Sequence, residues 1–146
     1  MSPNSTIIDN ESVFLGGYKM SVVSMLFAAI ILTTIALILY TWSIFKMRKQ
    51  LRKSHVIGLT VSWLCDFVGT LLFFLVGQQT KTKVTPMFVF HSLLGYLALF
   101  LMLILLVMVI RQWKKQSNQL PSALRNYAVI AWLVWVIDYL TGMMVR

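Results

Sequence analysis

Two histidines, His55 and His91, and two acids set in apolar sequence, Asp66 and Asp138, are the side chains here that can ligate a metal or move a proton. His91 lies in TPMFVFHSLLGYLALFLMLILLVMVI, residues 85–110, a run without Asp, Glu, Lys or Arg. A helix of that length rises about 39 Å, enough to cross a hydrocarbon core of about 30 Å. A polar side chain inside that core needs a partner or a task. Steps of three and four place His91, Gly95, Ala98, Met102 and Leu105 on one stripe. The two small residues, Gly95 and Ala98, let a flat or bulky group approach the imidazole. The plainer alternative is a histidine that hydrogen-bonds a carbonyl or hydroxyl across a helix bundle.

Asp138 stands about 10 Å from the end of its own apolar run, and His91 stands about 7–8 Å from the start of its run. If those runs are antiparallel neighbours, the two side chains sit at one depth. A carboxylate beside a histidine fixes its tautomer and strengthens it as a ligand. Trp135, Asp138 and Gly142 share a face, expected to look at His91. Asp66 is buried in WLCDFVGT, where an acid costs about 2.5–3.5 kcal/mol to insert. It reads either as a proton carrier or ligand-orienting group, or as a protonated carboxyl bonded to a neighbouring helix. His55 follows Lys53 and Ser54 at the mouth of the same run. Eleven residues, nearly three turns, put it on the face of Asp66, with Gly58 and Gly69 close by. It reads equally as a ligand or as an interfacial ring in contact with water, and the glycines equally as sites of close helix contact.

His55 and His91 belong to opposite ends of their runs, about 20 Å or more apart along the membrane normal. One metal cannot take both. Zinc requires three or four converging ligands, which two distant histidines and the lone Cys65 do not offer. Met25 lies at the depth of His91 and could serve as a second axial ligand.

The elements that must position these groups follow from composition. The 146 residues are 59% hydrophobic and 12% charged, with a mean hydropathy of +0.81, as in a membrane protein. We expect one all-α domain of four spans, about 21–45, 55–77, 85–110 and 127–145, preceded by a polar tail over residues 1–20. Short loops make neighbours antiparallel, giving an up-down-up-down bundle. The net charge of +9 does not indicate nucleic acid. Nine of the thirteen Lys and Arg lie in two short loops, five in residues 46–53 and four in residues 111–125. That bias puts those loops in the cytoplasm and both termini outside. The tail lacks the basic start of a signal peptide. Asn4-Ser5-Thr6 matches a glycosylation sequon. The lone cysteine forms no internal disulfide. No internal repeat, Walker loop, dinucleotide fingerprint or nucleophile elbow is present.

The stretches LALILYTWSIF, KSHVIGLTVSWLCDFVGT, FHSLLGYLALFLML and WLVWVIDYLTGM resemble a family of small four-helix bacterial membrane proteins, the haem-sensing membrane protein (HsmA) family. The resemblance covers residues 21–144. It implies binding of haem b in a bacterial cell membrane, protection against haem toxicity and oxidative stress, and His55 and His91 as axial iron ligands with Asp66 in the same motif. Leu105 stands where relatives in that family carry a further histidine, and Asp138 where they carry proline.

The leading expectation is a haem-binding protein with its site in the outer half, at His91, Gly95 and Asp138. The alternatives are a b-type cytochrome subunit passing electrons with quinone, and a small proton-coupled transporter using Asp66. A structural subunit without ligand is the third class. A homodimer or a partner subunit is compatible with each.

Overall fold

The computed structural model describes residues 12–15, 18–80 and 84–144. A short antiparallel hairpin, β1 (Ser12–Leu15) with β2 (Tyr18–Ser21), leads into four helices. These are α1 (Val22–Met47), α2 (Lys53–Gln79), α3 (Pro86–Lys114) and α4 (Ser122–Met144). All four are long and apolar enough to cross a bilayer. The chain is an all-α, multi-pass membrane bundle. The tail expected over residues 1–20 lies largely outside the described residues.

Local chemistry sets the helix ends. Ser21 caps α1 by accepting the Ser24 amide at 3.2 Å, and Thr85 caps α3 by accepting Phe88 at 3.2 Å, with Pro86 at the first helical position. The helices at the basic end run past the apolar sequence. There α2 starts at Lys53, α3 continues to Lys114 and α4 starts at Ser122. Long cationic side chains can bury their stems and keep their heads in water, so hydropathy stops before the backbone does.

The bundle closes in the order α1, α2, α3, α4, and α1 packs most extensively on α2. Glycine explains that closeness. Gly58 lies against Ser43 and Trp42, and a Cβ on Gly69 would sit 2.8 Å from the Thr33 methyl. Both glycines serve helix contact, the packing that membranes favour because lipid supplies no hydrophobic drive between helices. Apolar side chains cover the outside, among them Phe27, Ile38, Leu93 and Phe100. The inside holds Tyr40, Leu59, Met102, Leu105 and Val109, all fully buried.

Many polar groups in the spans find internal partners, as lipid demands. Thr34, Thr41, Thr60 and Ser62 donate to carbonyls four residues back, at 2.6–2.8 Å. Ring donors then tie the helices together. Trp63 Nε1 donates to the Leu99 carbonyl (3.3 Å), Tyr127 to the Leu101 carbonyl (2.9 Å) and Trp132 Nε1 to Thr41 Oγ1 (3.1 Å). At the basic end the Leu51 amide donates to the Asn118 carbonyl at 2.9 Å, locking the two basic loops together.

Candidate functional site

His91 sits in the second turn of α3 and Asp138 near the last turns of α4, at one end of the bundle. Asp138 Oδ1 lies 3.0 Å from His91 Nδ1. The packing is reciprocal. A Cβ on Gly142 would stand 3.0 Å from His91 Cε1, and one on Gly95 would stand 3.2 Å from Asp138 Oδ2. Each helix offers a glycine to the large polar group of the other, four residues from its own. The stripe read from His91 therefore does face the interior, with Ala98, Met102 and Leu105 fully buried further down.

Thr141 decides the tautomer. Its hydroxyl donates its single proton to the Asp138 carbonyl at 2.8 Å. It can then only accept from His91 Nδ1, 3.1 Å away. In the neutral ring, Nδ1 thus carries the proton and Nε2 the lone pair. Asp138 Oδ1 is equally near Nδ1 but makes no in-line hydrogen bond. The two observations agree if the N–H points at Thr141 and the carboxylate acts as a charge beside the ring. An imidazole held through one nitrogen, with a carboxylate alongside, presents the other nitrogen as a ligand. The His91 side chain keeps 28% of its surface exposed, against 16% for Asp138. Thr141 was missed in the sequence. Its i+3 spacing from Asp138 was the available signal, since a helical threonine bonds a carbonyl three or four residues back.

Trp135 does not join this group, contrary to expectation. It lies one turn deeper on α4 and donates from Nε1 to Asp66 Oδ2 at 2.7 Å. Tyr40 OH donates to the same oxygen at 3.4 Å. Asp66 is 4% exposed. One carboxyl thus joins α1, α2 and α4 in the middle of the bundle. Trp135 packs edge-on against Tyr40 and stacks on Tyr139, whose hydroxyl reaches Thr34 at 3.1 Å.

His55 lies in the first turn of α2, at the opposite end from His91. Of its two readings, the ring in contact with water does not hold: the residue is 6% exposed and packs edge-on under Trp42. The reason is Gly58, one turn on, which lets α1 approach closely enough for Trp42 to cover the ring. His55 Nδ1 is buried without a hydrogen-bond partner. Among the described residues no three His, Cys, Asp or Glu side chains converge as a metal site.

The comparisons with known proteins bear on what such a bundle holds. A family model described as eukaryotic cytochrome b561 matches residues 20–144. The chain belongs to the cytochrome b561 family. Proteins of this family bind b-type haem. The match is broader than the HsmA resemblance and lends that narrower grouping no support; the matching family is eukaryotic by description, so it does not support a bacterial membrane either. No curated protein and no solved structure matches the chain.

The residues present accommodate a haem iron in one respect and not in another. His91 offers a lone-pair nitrogen, a fixed tautomer and a partly open ring, the chemistry of a single axial ligand. A pair of imidazoles on one iron does not fit. The two histidines occupy opposite ends, and fully buried Tyr40, Leu59, Met102 and Leu105 fill the space between. Met25 is itself fully buried in α1, which barely touches α3.

Proposed function

We propose that this cytochrome b561 family member is a one-electron carrier in the membrane, with haem b held at the His91 end. The observation that carries the reading is the His91–Thr141–Asp138 arrangement, which leaves Nε2 as the free donor. Haem b bound there would supply a one-electron iron couple. The protein's own groups do the rest. Thr141 holds the Nδ1 proton, Asp138 lies beside the ring, and Gly95 and Gly142 let both side chains fit between the helices. Asp66 holds the centre by joining three helices. A quinone in the surrounding lipid is the electron partner we propose. A second copy or a partner subunit would supply the donor that this chain does not place opposite His91. The charge bias supports the basic end as cytoplasmic, with both termini outside.

A second reading, haem sequestration that protects against haem and oxidative stress, is favoured by one feature. A single ligand on a partly exposed ring lets haem leave as well as enter. One experiment separates the two readings. The purified chain is titrated with hemin, then reconstituted in liposomes with a quinol, and separately mixed with apomyoglobin. The carrier reading expects a Soret band that requires His91, shifts on adding quinol and persists with apomyoglobin. Rapid loss of haem to apomyoglobin without reduction by quinol would replace it with sequestration. A chain that takes up no hemin sinks both.

A further inference from the structure

The two loops at the basic end form a platform that the haem reading does not use. Five basic residues come from 46–53 and four from 111–125, and the four acids of the chain, Asp9, Glu11, Asp66 and Asp138, all lie elsewhere in the sequence. The one ion pair among the described residues is His91–Asp138. Among the described residues, then, no carboxylate pairs with these cations.

Between the start of α2 and the end of α3 they border an open groove of about 630 Å³. Arg52, Lys53 and Lys114 supply its charge, with Trp113, Gln116 and Asn118 around them. Gln50 Oε1 accepts from both Arg52 Nε (3.0 Å) and Nη2 (2.9 Å), which fixes the guanidinium in place. The first turn of α2 opens at the same place with no side-chain cap and no acid. Its free amides and helix dipole add positive potential there. The Leu51–Asn118 backbone bond holds the two walls together.

The apolar surface continues from this groove along the bundle. On α2, helical spacing aligns Lys53 with Ile57, Val61 and Leu64, all exposed. On α3 it aligns Lys114 with Val107 and Phe100, also exposed. A ligand with a phosphate in the groove would therefore meet lipid-facing side chains directly below it. That is the shape of a phospholipid, whereas a free phosphate uses the charged part alone. Basic pockets between spans bind anionic headgroups in this way.

We propose that the groove between the start of α2 and the end of α3 is a binding site for the phosphate of an anionic phospholipid, held by Arg52, Lys53 and Lys114. A second basic groove, bordered by Lys46, Arg48, Lys49 and Arg125, provides the control, with three of its four cations neutralised. The full chain is stripped of lipid in detergent, and binding of phosphatidylglycerol, phosphatidylcholine and inorganic phosphate is measured by native mass spectrometry and by Trp fluorescence. Wild type should retain phosphatidylglycerol over phosphatidylcholine. The R52Q/K53Q/K114Q variant should lose on the order of a hundredfold in affinity, the loss expected for three neutralised cations. K46Q/K49Q/R125Q should lose far less. Equal losses in the two triple variants would mean a diffuse surface charge and overturn the site. Competition by inorganic phosphate at its own comparable affinity would overturn the lipid as occupant. All the substituted side chains are exposed, and an unchanged melting temperature keeps the comparison valid.

Discussion

The two ends of the bundle each hold one histidine and treat it differently. At one end His91 lies 3.1 Å from Thr141 and 3.0 Å from a carboxylate, with its ring partly exposed. At the other, His55 lies sealed under Trp42, with Nδ1 unpartnered and cations rather than acids nearby in sequence. The same side chain is set between polar groups in one place and packed under an indole in the other. The difference comes from the second layer of residues, which orients a ligand nitrogen and tunes its basicity. A histidine count alone would rate the two ends equal.

The largest expected effect is at the open end. His91→Ala should abolish the hemin-dependent Soret band, read in detergent with the far-ultraviolet circular dichroism unchanged. A full band in that variant would reverse the comparison of the two ends. Asp138→Asn keeps the shape and removes the charge beside the ring. Hemin affinity should fall about 10–100-fold, the usual effect of losing an outer partner, and an unchanged titration would reduce Asp138 to a packing residue.

Asp66 sharpens the comparison from the middle of the bundle. Asp66→Leu leaves the Trp135 N–H without an acceptor, at a cost of about 1–3 kcal/mol, seen as a lower unfolding temperature in detergent. Protein that remains folded should still take up hemin. Its failure to do so would tie the centre to the haem site. The smallest effect belongs to His55→Ala, which should leave the hemin titration of the His91 end as it is and loosen the packing around Trp42. Loss of the Soret band there would move the site to the basic end.

Much of this was legible from residue spacing. His91 and Asp138 lie at similar depths in consecutive antiparallel helices, so their meeting required little beyond helix rise. The face they share was legible too, through Gly95 and Gly142. Trp135 was misplaced because three residues carry a side chain about 4.5 Å deeper and some 60° around the helix. That turn takes it from α3 to Asp66. The burial of His55 could not be read from a neighbouring Lys53 and Ser54. It depends on how closely α1 approaches at Gly58, a property of two helices together.

Sequence alone determined the class of this protein. Long uncharged runs can satisfy their backbone in lipid only as helices, and short basic loops bias the orientation. Tertiary structure decided which of two chemically identical histidines faces an acid and which faces a tryptophan. It also decided that Asp66 would accept from Trp135 and Tyr40. Helix rotation and separation set those outcomes, and they are fixed by packing between helices, to which no single span's pattern is sensitive.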